Sequence, residues 1–281
     1  MNLTDINYIT KLLKKHGFSF SKALGQNFIV DETICPRIAE IFNLEQCGVI
    51  EIGTGIGVLT KELAKRAKKV VAIELDKRLF PILNETLAEY NNIKIIHGDI
   101  LKTDINAIIS EEFKDMDVYV CGNLPYYITS PIIMNFLENK IAIKGLAVMV
   151  QKEAAERLTA LPGCRDCGAV SATVNYYCTP SISFEVNRYC FVPSPNVDSA
   201  VIKLEIRNEP IVNPKSTDHF FKIVHGAFAQ RRKTLVNSLS SSLKIEKDEL
   251  INALSKLGID NSIRAEKMTI QQFSDLSDIL L

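Results

Sequence analysis

The stretch CGVIEIGTGIGVLTKELAKRAKKVVAIEL, residues 47–75, decides the fold of this 281-residue chain. It opens with a short apolar run, turns through three glycines, continues as an amphipathic segment and ends in a run rich in β-branched residues. Strand, glycine loop, helix and strand in this order predict a βαβ unit, because a crossover helix returns the chain to a parallel neighbouring strand. The glycine loop then lies at the carboxyl end of the first strand.

The same alternation continues as far as residue 160. Pro81 is compatible with the helix that comes next only if it stands in the first turn. Alternating strands and helices predict an open, doubly wound α/β sheet of about 150 residues, with helices on both faces. The further strands are expected at NIKIIHGD, MDVYVCGN and GLAVMVQ, and the helices at KRLFPILNETLAEY, residues 101–113, SPIIMNFLE and KEAAERLTA.

The segments before and after this core follow other patterns. Residues 1–45 carry apolar residues at helical spacing and are expected to form a helical N-terminal segment. Residues 169–206 are rich in β-branched residues and proline turns, and we expect them to add an antiparallel pair of strands at the sheet edge. We therefore predict a sheet domain over residues 1–208 and a small α-helical domain over residues 209–281.

Composition and charge exclude several classes of protein. The hydrophobic fraction of 47% is ample for a core, which argues against disorder. No apolar run approaches the roughly 18 residues of a membrane-spanning helix, and the N-terminus lacks the apolar segment of a secretory signal, so we expect a cytoplasmic protein. With 33 basic and 33 acidic residues the chain is neutral, so RNA, if it is the ligand, must be bound by local patches.

Two groups of basic residues are candidates for such patches, although a solvated helix face is the simpler interpretation of any single lysine. They are Lys11, Lys14, Lys15, His16 and Lys22 near the start and Arg231, Arg232 and Lys233 near the end.

The seven cysteines are odd in number and lie mostly in apolar runs, which indicates reduced core residues. Cys164 and Cys167 form a CxxC without the second ligand pair of a zinc site. A structural role is therefore favoured over a metal site, and no metal is expected.

The glycine loop EIGTGIG contains Gly53, Gly55 and Gly57. Glycine lets the backbone turn tightly and approach a ligand, and the following helix presents free N–H groups. The dinucleotide fingerprint GxGxxG requires a glycine where Val58 stands. The loop alone therefore leaves the identity of the ligand open.

Acidic residues stand at the ends of the next two predicted strands. A carboxylate at Glu74 can accept hydrogen bonds from both hydroxyls of a ribose. Asp99, in HGDI, can accept from an adenine amino group, and its alternative role is a helix N-cap. Together with NLPY at the end of the fourth strand, these residues describe a pocket for a nucleoside with a second flat group beside it.

The glycine loop, Glu74, Asp99 and NLPY together resemble the S-adenosylmethionine-dependent methyltransferases with a Rossmann-like fold. Four ordered motifs resemble, more narrowly, the KsgA/RsmA family of dimethyladenosine transferases acting on small-subunit ribosomal RNA. The resemblance covers nearly the whole chain, and it implies a Rossmann-like methyltransferase sheet with a small α-helical C-terminal domain. The motifs are KALGQNFIVD (22–31), NLPYYITSPI (123–132), FVPSPNVDSAV (191–201) and AFAQRRKTL (227–235).

The resemblance also implies the cofactor and its binding residues. The cofactor would be S-adenosylmethionine. At the position of Ile29 leucine is common in the family, and the expected contact there is apolar or through the backbone. The implied binding residues are Asn27, Ile29, Gly53, Gly55, Glu74, Asp99 and Asn123.

The chemistry of an exocyclic amine explains the residues of the NLPY motif. The N6 amine of adenine is a poor nucleophile because its lone pair is delocalised into the ring. Two acceptors that orient its N–H bonds favour a tetrahedral nitrogen, and no strong base is required. Asn123 offers a side-chain oxygen, Leu124 offers its carbonyl, and Pro125 fixes the turn.

The target base must leave its stack to reach this site. We expect Tyr126 to stack on one face of the base and Phe191 to cover the other, with core packing as the alternative for Phe191. Tyr127 is expected to pack in the core.

The function implied is dimethylation of N6 of two adjacent adenosines near the 3′ end of 16S rRNA, in the small ribosomal subunit or its precursor, by a monomer. An Erm-type methyltransferase of large-subunit RNA is a close alternative, against which the second tyrosine, ITSP and AFAQRRKTL weigh. A non-catalytic RNA-binding assembly factor with the same fold is another alternative. The GxGxG spacing disfavours a nicotinamide dehydrogenase.

Overall fold

A computed structural model describes residues 2–21 and 24–281. Lys22, one of the candidate basic residues, and Ala23 lie outside the described residues. The α-helices are α1 (Ile6–Lys15), α2 (Ile34–Ala39), α3 (Val58–Ala64), α4 (Phe80–Thr86), α5 (Ile105–Glu112), α6 (Thr129–Glu138), α7 (Lys152–Thr159), α8 (Ala169–Tyr177), α9 (Thr217–Phe228), α10 (Leu235–Leu243), α11 (Lys247–Lys256) and α12 (Ile270–Ile279). The strands are β1 (Phe28–Ile29), β2 (Gly48–Ile52), β3 (Lys69–Glu74), β4 (Ile93–His97), β5 (Val118–Asn123), β6 (Gly145–Gln151), β7 (Cys178–Val186), β8 (Phe191–Val192) and β9 (Ser199–Ile206).

The described chain divides into two compact units. The sheet unit comprises Met1–Ala155 and Ser181–Ile206, and the helical unit comprises Glu156–Pro180 and Arg207–Leu281. Residues 156–180, which the sequence assigned to the sheet domain, therefore pack with the C-terminal helices.

The sheet unit contains a seven-stranded sheet in the order β4-β3-β2-β5-β6-β9-β7. The pairs β4–β3, β3–β2, β2–β5 and β5–β6 are parallel, which confirms the doubly wound α/β class predicted from the sequence. Strand β2 is buried along its whole length, as expected of a parallel strand covered on both faces. Pro81 stands in the first turn of α4, as predicted.

The order of the strands reverses beside β2. The chain runs from β2 to β3 and β4 on one side, and then returns to place β5 on the other side. Ile52 is in register with both Ile73 of β3 and Gly122 of β5, so the carboxyl ends of the three strands are level. A crevice at such a reversal is the usual ligand site of an open α/β sheet.

The edge of the sheet follows the sequence prediction only in part. Strand β9 runs antiparallel to β6, with Ser199 opposite Gln151, and β7 lies beyond it. Residues 169–177, however, form helix α8 and not a strand. Its Tyr176 ring packs 5.2 Å from the ring of Phe220 in the core of the helical unit, and this tertiary contact overrides the local preference of valine and threonine for strands.

The helical unit has its own apolar core, formed by α8 to α12 and the segments between them. Phe220, Leu239, Leu250 and Phe273 are fully buried in it. Helix α12 begins with a capping box between Thr269 and Gln272, which satisfies free N–H groups of its first turn.

Across residues 2–21 and 24–281, no helix combines the length and apolar character that crossing a bilayer requires.

The close approach of β2 and β5 should make Gly122 intolerant of any side chain. A Cβ atom there would lie 2.7 Å from the main-chain oxygen of Ile52, which cannot move without disturbing the sheet. We expect Gly122→Ala to lower the free energy of unfolding by about 1–3 kcal/mol, measured by urea denaturation. Gly168→Ala is the matched control, since a Cβ there meets no atom within 4 Å. Equal stability of the two variants would contradict the packing described here.

Candidate active site

The carboxyl ends of β2, β3, β4 and β5 surround an open cleft of about 760 Å³, a volume that includes the space open to solvent at its mouth. The cleft is lined by residues that follow each of these strands, and by the segment before β1. Of the seven residues predicted to bind the cofactor, six line it, namely Asn27, Gly53, Gly55, Glu74, Asp99 and Asn123.

The glycine loop leaves its backbone open to the cleft. Gly53 and Gly55 have φ values of +75° and +55°, in the left-handed region that glycine adopts without strain. A Cβ at Gly55 would lie 3.4 Å from the ring of Phe28, and one at Gly53 would lie 3.8 Å from the carbonyl oxygen of Asn123. A ligand can therefore approach the main chain here more closely than side chains would allow.

Glu74, the last residue of β3, presents a carboxylate that is only 7% exposed. One oxygen, Oε2, accepts hydrogen bonds from the Thr54 hydroxyl at 2.9 Å and the Gly55 N–H at 3.3 Å. The other, Oε1, accepts from the Asp76 N–H at 2.9 Å. Burial raises the pKa of Glu74 despite these donors. Its rotamer is fixed by the loop, and a lone pair of Oε1 remains for a ligand hydroxyl.

Asp99 is the first residue of a short turn after β4. Its Oδ1 accepts from the Leu101 N–H at 3.1 Å, and its carbonyl oxygen accepts from the Thr103 N–H at 2.9 Å. The N-cap of α5 is Asp104, whose carboxylate accepts from the Ala107 N–H at 3.0 Å. The alternative role of Asp99 as a helix N-cap is therefore wrong, and its side chain lines the cleft.

The geometry around Asn123 fixes the orientation of its amide. The Nδ2 group donates to the main-chain oxygen of Asn27 at 3.3 Å. A carbonyl oxygen can only accept, so the amide must present its NH2 group there and its oxygen elsewhere. Within residues 2–21 and 24–281, neither this Oδ1 nor the carbonyl oxygen of Leu124 accepts a hydrogen bond. Two adjacent acceptors are thus left at the end of β5.

The two tyrosines after Pro125 have different surroundings. Pro125 has φ −58° and its carbonyl accepts from the Ile128 N–H at 3.1 Å, which holds the turn. The half-buried Tyr126 has its hydroxyl 2.8 Å from the Ser199 hydroxyl, and burial raises its pKa. Tyr127 is 60% exposed and lines the cleft, so the expectation that it packs in the core is wrong.

The structure places Phe191 and Ile29 away from the cleft. They are paired across the two-stranded ribbon of β1 and β8, and both are buried in the hydrophobic core. Phe191 is 2% exposed, so its ring is not available to cover a substrate base, and core packing, the alternative, is correct. Ile29 lines a smaller cavity beside the cleft.

Glu51, inside the glycine-loop motif, is a polar residue to which the sequence assigned no role. Its side chain is fully buried, and neither carboxylate oxygen has a hydrogen-bond partner. The Thr60 hydroxyl faces it and is also without a partner of good geometry. Burial raises the pKa of Glu51 to about 8. The residue lines the smaller cavity together with Gly53 and Asn123.

A second network that the sequence did not reveal holds the segment before β1 against β3. Asp76 accepts from Gln26 Nε2 at 2.8 Å and from Arg78 Nη2 at 2.6 Å. Gln26 in turn accepts from the Ser21 N–H at 2.8 Å. Because Asp76 also donates its N–H to Glu74, the network ties Asn27 and Glu74 to one framework.

The candidate basic patches differ in how much charge they leave free. Lys15 and His16 both contact the carboxylate of Glu85, at 2.8 and 2.7 Å. Arg231 and Arg232, like Lys233, are exposed in the helical unit.

All seven cysteines are free thiols, with Cys164 exposed and Cys167 buried. In the part of the chain that is described, no cluster of His, Cys, Asp or Glu side chains is arranged to hold a metal ion.

Comparison with known proteins identifies the family. A sequence profile described as Ribosomal RNA adenine dimethylase matches residues 17–281. The chain belongs to this family. "Ribosomal RNA small subunit methyltransferase A" from Anoxybacillus flavithermus is 49% identical to it over 275 residues, which cover 96% of this chain and 93% of that protein. The resemblance inferred from the motifs is confirmed.

Solved structures share the fold of this member of the dimethylase family. A dimethyladenosine transferase from Plasmodium falciparum superposes with a TM-score of 0.75 at 26% identity, covering 89% of this chain and 95% of that one. The 23S rRNA methyltransferase ErmE superposes with a TM-score of 0.69 at 28% identity, covering 90% and 99%. These matches confirm the Rossmann-like methyltransferase fold.

The buried carboxyl group of Glu51 should make stability depend on pH. Its pKa is raised in the folded protein, so the folded state is neutral while the unfolded state ionises, and its effect on stability becomes less favourable as pH rises from about 4.5 to about 8. We expect Glu51→Gln to gain stability relative to the unmodified protein between pH 5 and pH 9, by up to about 4 kcal/mol, in urea denaturation. Glu45→Gln changes an exposed carboxylate and is the control. Parallel pH profiles for Glu51→Gln and the unmodified protein would exclude a buried neutral carboxyl.

Proposed function

We propose that this protein is an S-adenosylmethionine-dependent dimethyltransferase for N6 of two adjacent adenosines near the 3′ end of 16S rRNA in the small ribosomal subunit. The observation that carries the proposal is the pair of available acceptors on Asn123 and Leu124, at the end of β5 and beside the cleft that Gly53, Glu74 and Asp99 line. The name of the relative from Anoxybacillus flavithermus, a small-subunit methyltransferase, supports the choice of subunit.

The residues of the cleft fit the proposed cofactor. Gly53 and Gly55, with their positive φ values, leave the backbone accessible to the amino-acid part of S-adenosylmethionine. Glu74 holds a carboxylate to which the ribose hydroxyls can donate. Asp99 is proposed to accept from the adenine amine, and Asn27 to close the cleft from the N-terminal side. S-adenosylmethionine, when bound, supplies the methyl group as an electrophile.

The proposed role of the NLPY segment is to orient the amine. The oxygen of Asn123 and the carbonyl of Leu124 each accept one N–H of the adenine amine, which turns its lone pair toward the cleft. Leu124 is held in place because its own N–H donates to Met149 of β6 at 3.0 Å. The amide of Asn123 is held by Asn27. Since both acceptors are fixed before the substrate arrives, they cost no reorganisation at the moment of reaction.

Aromatic side chains are proposed to hold the extruded base. Tyr126 is anchored through its hydroxyl to Ser199 of β9, so its ring is pre-positioned for stacking. With Phe191 buried, Tyr127 is the accessible aromatic residue on the cleft wall that can border the base from another side. We propose further that the protein acts as a monomer in the cytoplasm.

The same observations distinguish the proposed function from the three alternative functions. An Erm-type activity on large-subunit RNA is disfavoured because ErmE is 28% identical, whereas the small-subunit relative is 49% identical. A non-catalytic assembly factor would not need free acceptors beside a cofactor cleft. A nicotinamide dehydrogenase is incompatible with the dimethylase family to which the chain belongs.

The substrate choice is tested by radiolabelled methyl transfer to unmodified small subunits, large subunits and free RNA, with nucleoside analysis. We expect N6,N6-dimethyladenosine in small-subunit RNA. Labelling of large-subunit RNA alone would establish the Erm-type alternative, and no labelling of any RNA would favour a binding factor.

The role of Asn123 is tested by Asn123→Ala. Loss of an acceptor for an amine that gains positive charge should lower kcat about 10- to 100-fold. Cofactor affinity, measured by calorimetry, should change much less, because most groups around the cofactor remain. Asn139→Ala, which removes an exposed amide at the end of α6, is the control. Near-normal turnover of Asn123→Ala would refute this assignment.

A further inference from the structure

Tyr189 is an aromatic side chain to which neither the fold nor the proposed reaction gives a role. At 73% exposure it is the most exposed large hydrophobic side chain in the described residues. The guanidinium carbon of Arg188 lies 5.2 Å from the centre of its ring, and Arg188 Nη2 is 3.4 Å from its hydroxyl. The two side chains form an exposed aromatic–guanidinium surface, here named the Arg188–Tyr189 platform.

The platform is held by its own loop. The Arg188 N–H donates to Asp198 Oδ1 at 3.0 Å, and Arg188 Nη1 donates to the carbonyl of Asn196 at 3.1 Å. The Ser194 hydroxyl donates to the carbonyl of Arg188 at 2.8 Å. An exposed tyrosine with no role in the core is therefore presented beside a residue, Arg188, that is held by two backbone hydrogen bonds and one side-chain hydrogen bond, so little ordering is needed when it binds a partner.

The anchors of the platform connect it to Tyr126, the residue proposed to stack on the target base. Asp198, which anchors Arg188, is the residue before Ser199, and Ser199 holds the hydroxyl of Tyr126. Adjacent Cα atoms are about 3.8 Å apart, so the anchors of the two tyrosines are neighbours. The platform and Tyr126 are therefore attached to two consecutive residues of the same chain segment.

The chemistry of the platform favours a nucleobase over an apolar protein surface. Unstacked bases of RNA bind to aromatic rings and to guanidinium planes, and both are offered here. Arg188 is exposed, and the nearby carboxylate of Asp198 attracts its charge without covering the side chain, so an RNA strand can reach the guanidinium. An apolar protein partner would instead have to desolvate this charge without compensation.

We propose that the Arg188–Tyr189 platform stacks on the nucleobase adjacent to the adenosine at Asn123. The proposal rests on the proposed function, since it names a contact of the same RNA. For a substrate with two adjacent adenosines, the platform would hold the neighbour in register while one amine reacts. Arg188 and Tyr189 are positioning residues, because they do not touch the reacting amine.

The kinetic test compares Tyr189→Ala, Tyr189→Phe and Ile182→Ala. Loss of one stacking contact should raise KM for unmodified small subunits about 5- to 100-fold in Tyr189→Ala, with kcat at saturating subunits and cofactor affinity unchanged. Tyr189→Phe keeps the ring and should restore KM. Ile182→Ala, which truncates an exposed residue of β7, is the control and should behave as the unmodified protein.

An unchanged KM for Tyr189→Ala, with normal dimethylation by the unmodified protein, would overturn the platform and leave the proposed function intact. A failure of the unmodified protein to dimethylate small subunits would instead refute the function. A photoreactive phenylalanine at position 189 adds a direct readout. We expect it to crosslink to a nucleotide next to the methylated adenosines, and a crosslink to a ribosomal protein alone would overturn the proposal.

Discussion

The reversal of strand order between β2 and β5 is the constraint on which the site depends. At this point the chain leaves β2 in one direction and returns on the other side, so no crossover covers the carboxyl ends of the two strands. The register of Ile52 opposite Gly122 brings Gly53 and Asn123 side by side. Gly122 has no room for a side chain, which keeps the two strands at the distance that this meeting requires. The order of the strands thus determines where the cleft lies, and the polar residues of the cleft are those at the carboxyl ends of the strands.

The N-terminal segment before β1 supplies the remaining hydrogen bonds that position the site residues. Its carbonyl at Asn27 accepts from Asn123 and thereby determines which way the amide faces. The same segment is tied to β3 through Gln26 and Asp76, and Asp76 in turn donates to Glu74. The acceptor for the amine and the acceptor for the ribose are therefore positioned by one hydrogen-bond framework. Pre-organisation of this kind favours the transition state because the groups need not be ordered during the reaction.

Features of the site that follow from local sequence patterns could be predicted from the sequence, whereas features that depend on contacts between residues distant in sequence could not. The strand-end residues Glu74 and Asn123 were predicted correctly to share a cleft, since periodicity alone places them at the ends of parallel strands. The burial of Phe191 follows from pairing with Ile29, which is distant in sequence and carries no local signal. The helix at residues 169–177 has the same cause, because its apolar face packs on Phe220 and its β-branched residues suggested a strand.

The contacts made by residues in short turns and by buried polar side chains also could not be predicted from the sequence. The hydroxyl of Tyr126 is held by Ser199, 73 residues away in sequence, and no local pattern indicates this contact.

The most direct measurement is a crystal structure with bound S-adenosylhomocysteine. The ribose hydroxyls should donate to Glu74 and the sulfur should face Asn123, leaving about 3–3.5 Å for approach of the amine. A ribose bound away from Glu74, or a sulfur directed away from the carbonyl of Leu124, would contradict the placement of methyl transfer at the end of β5.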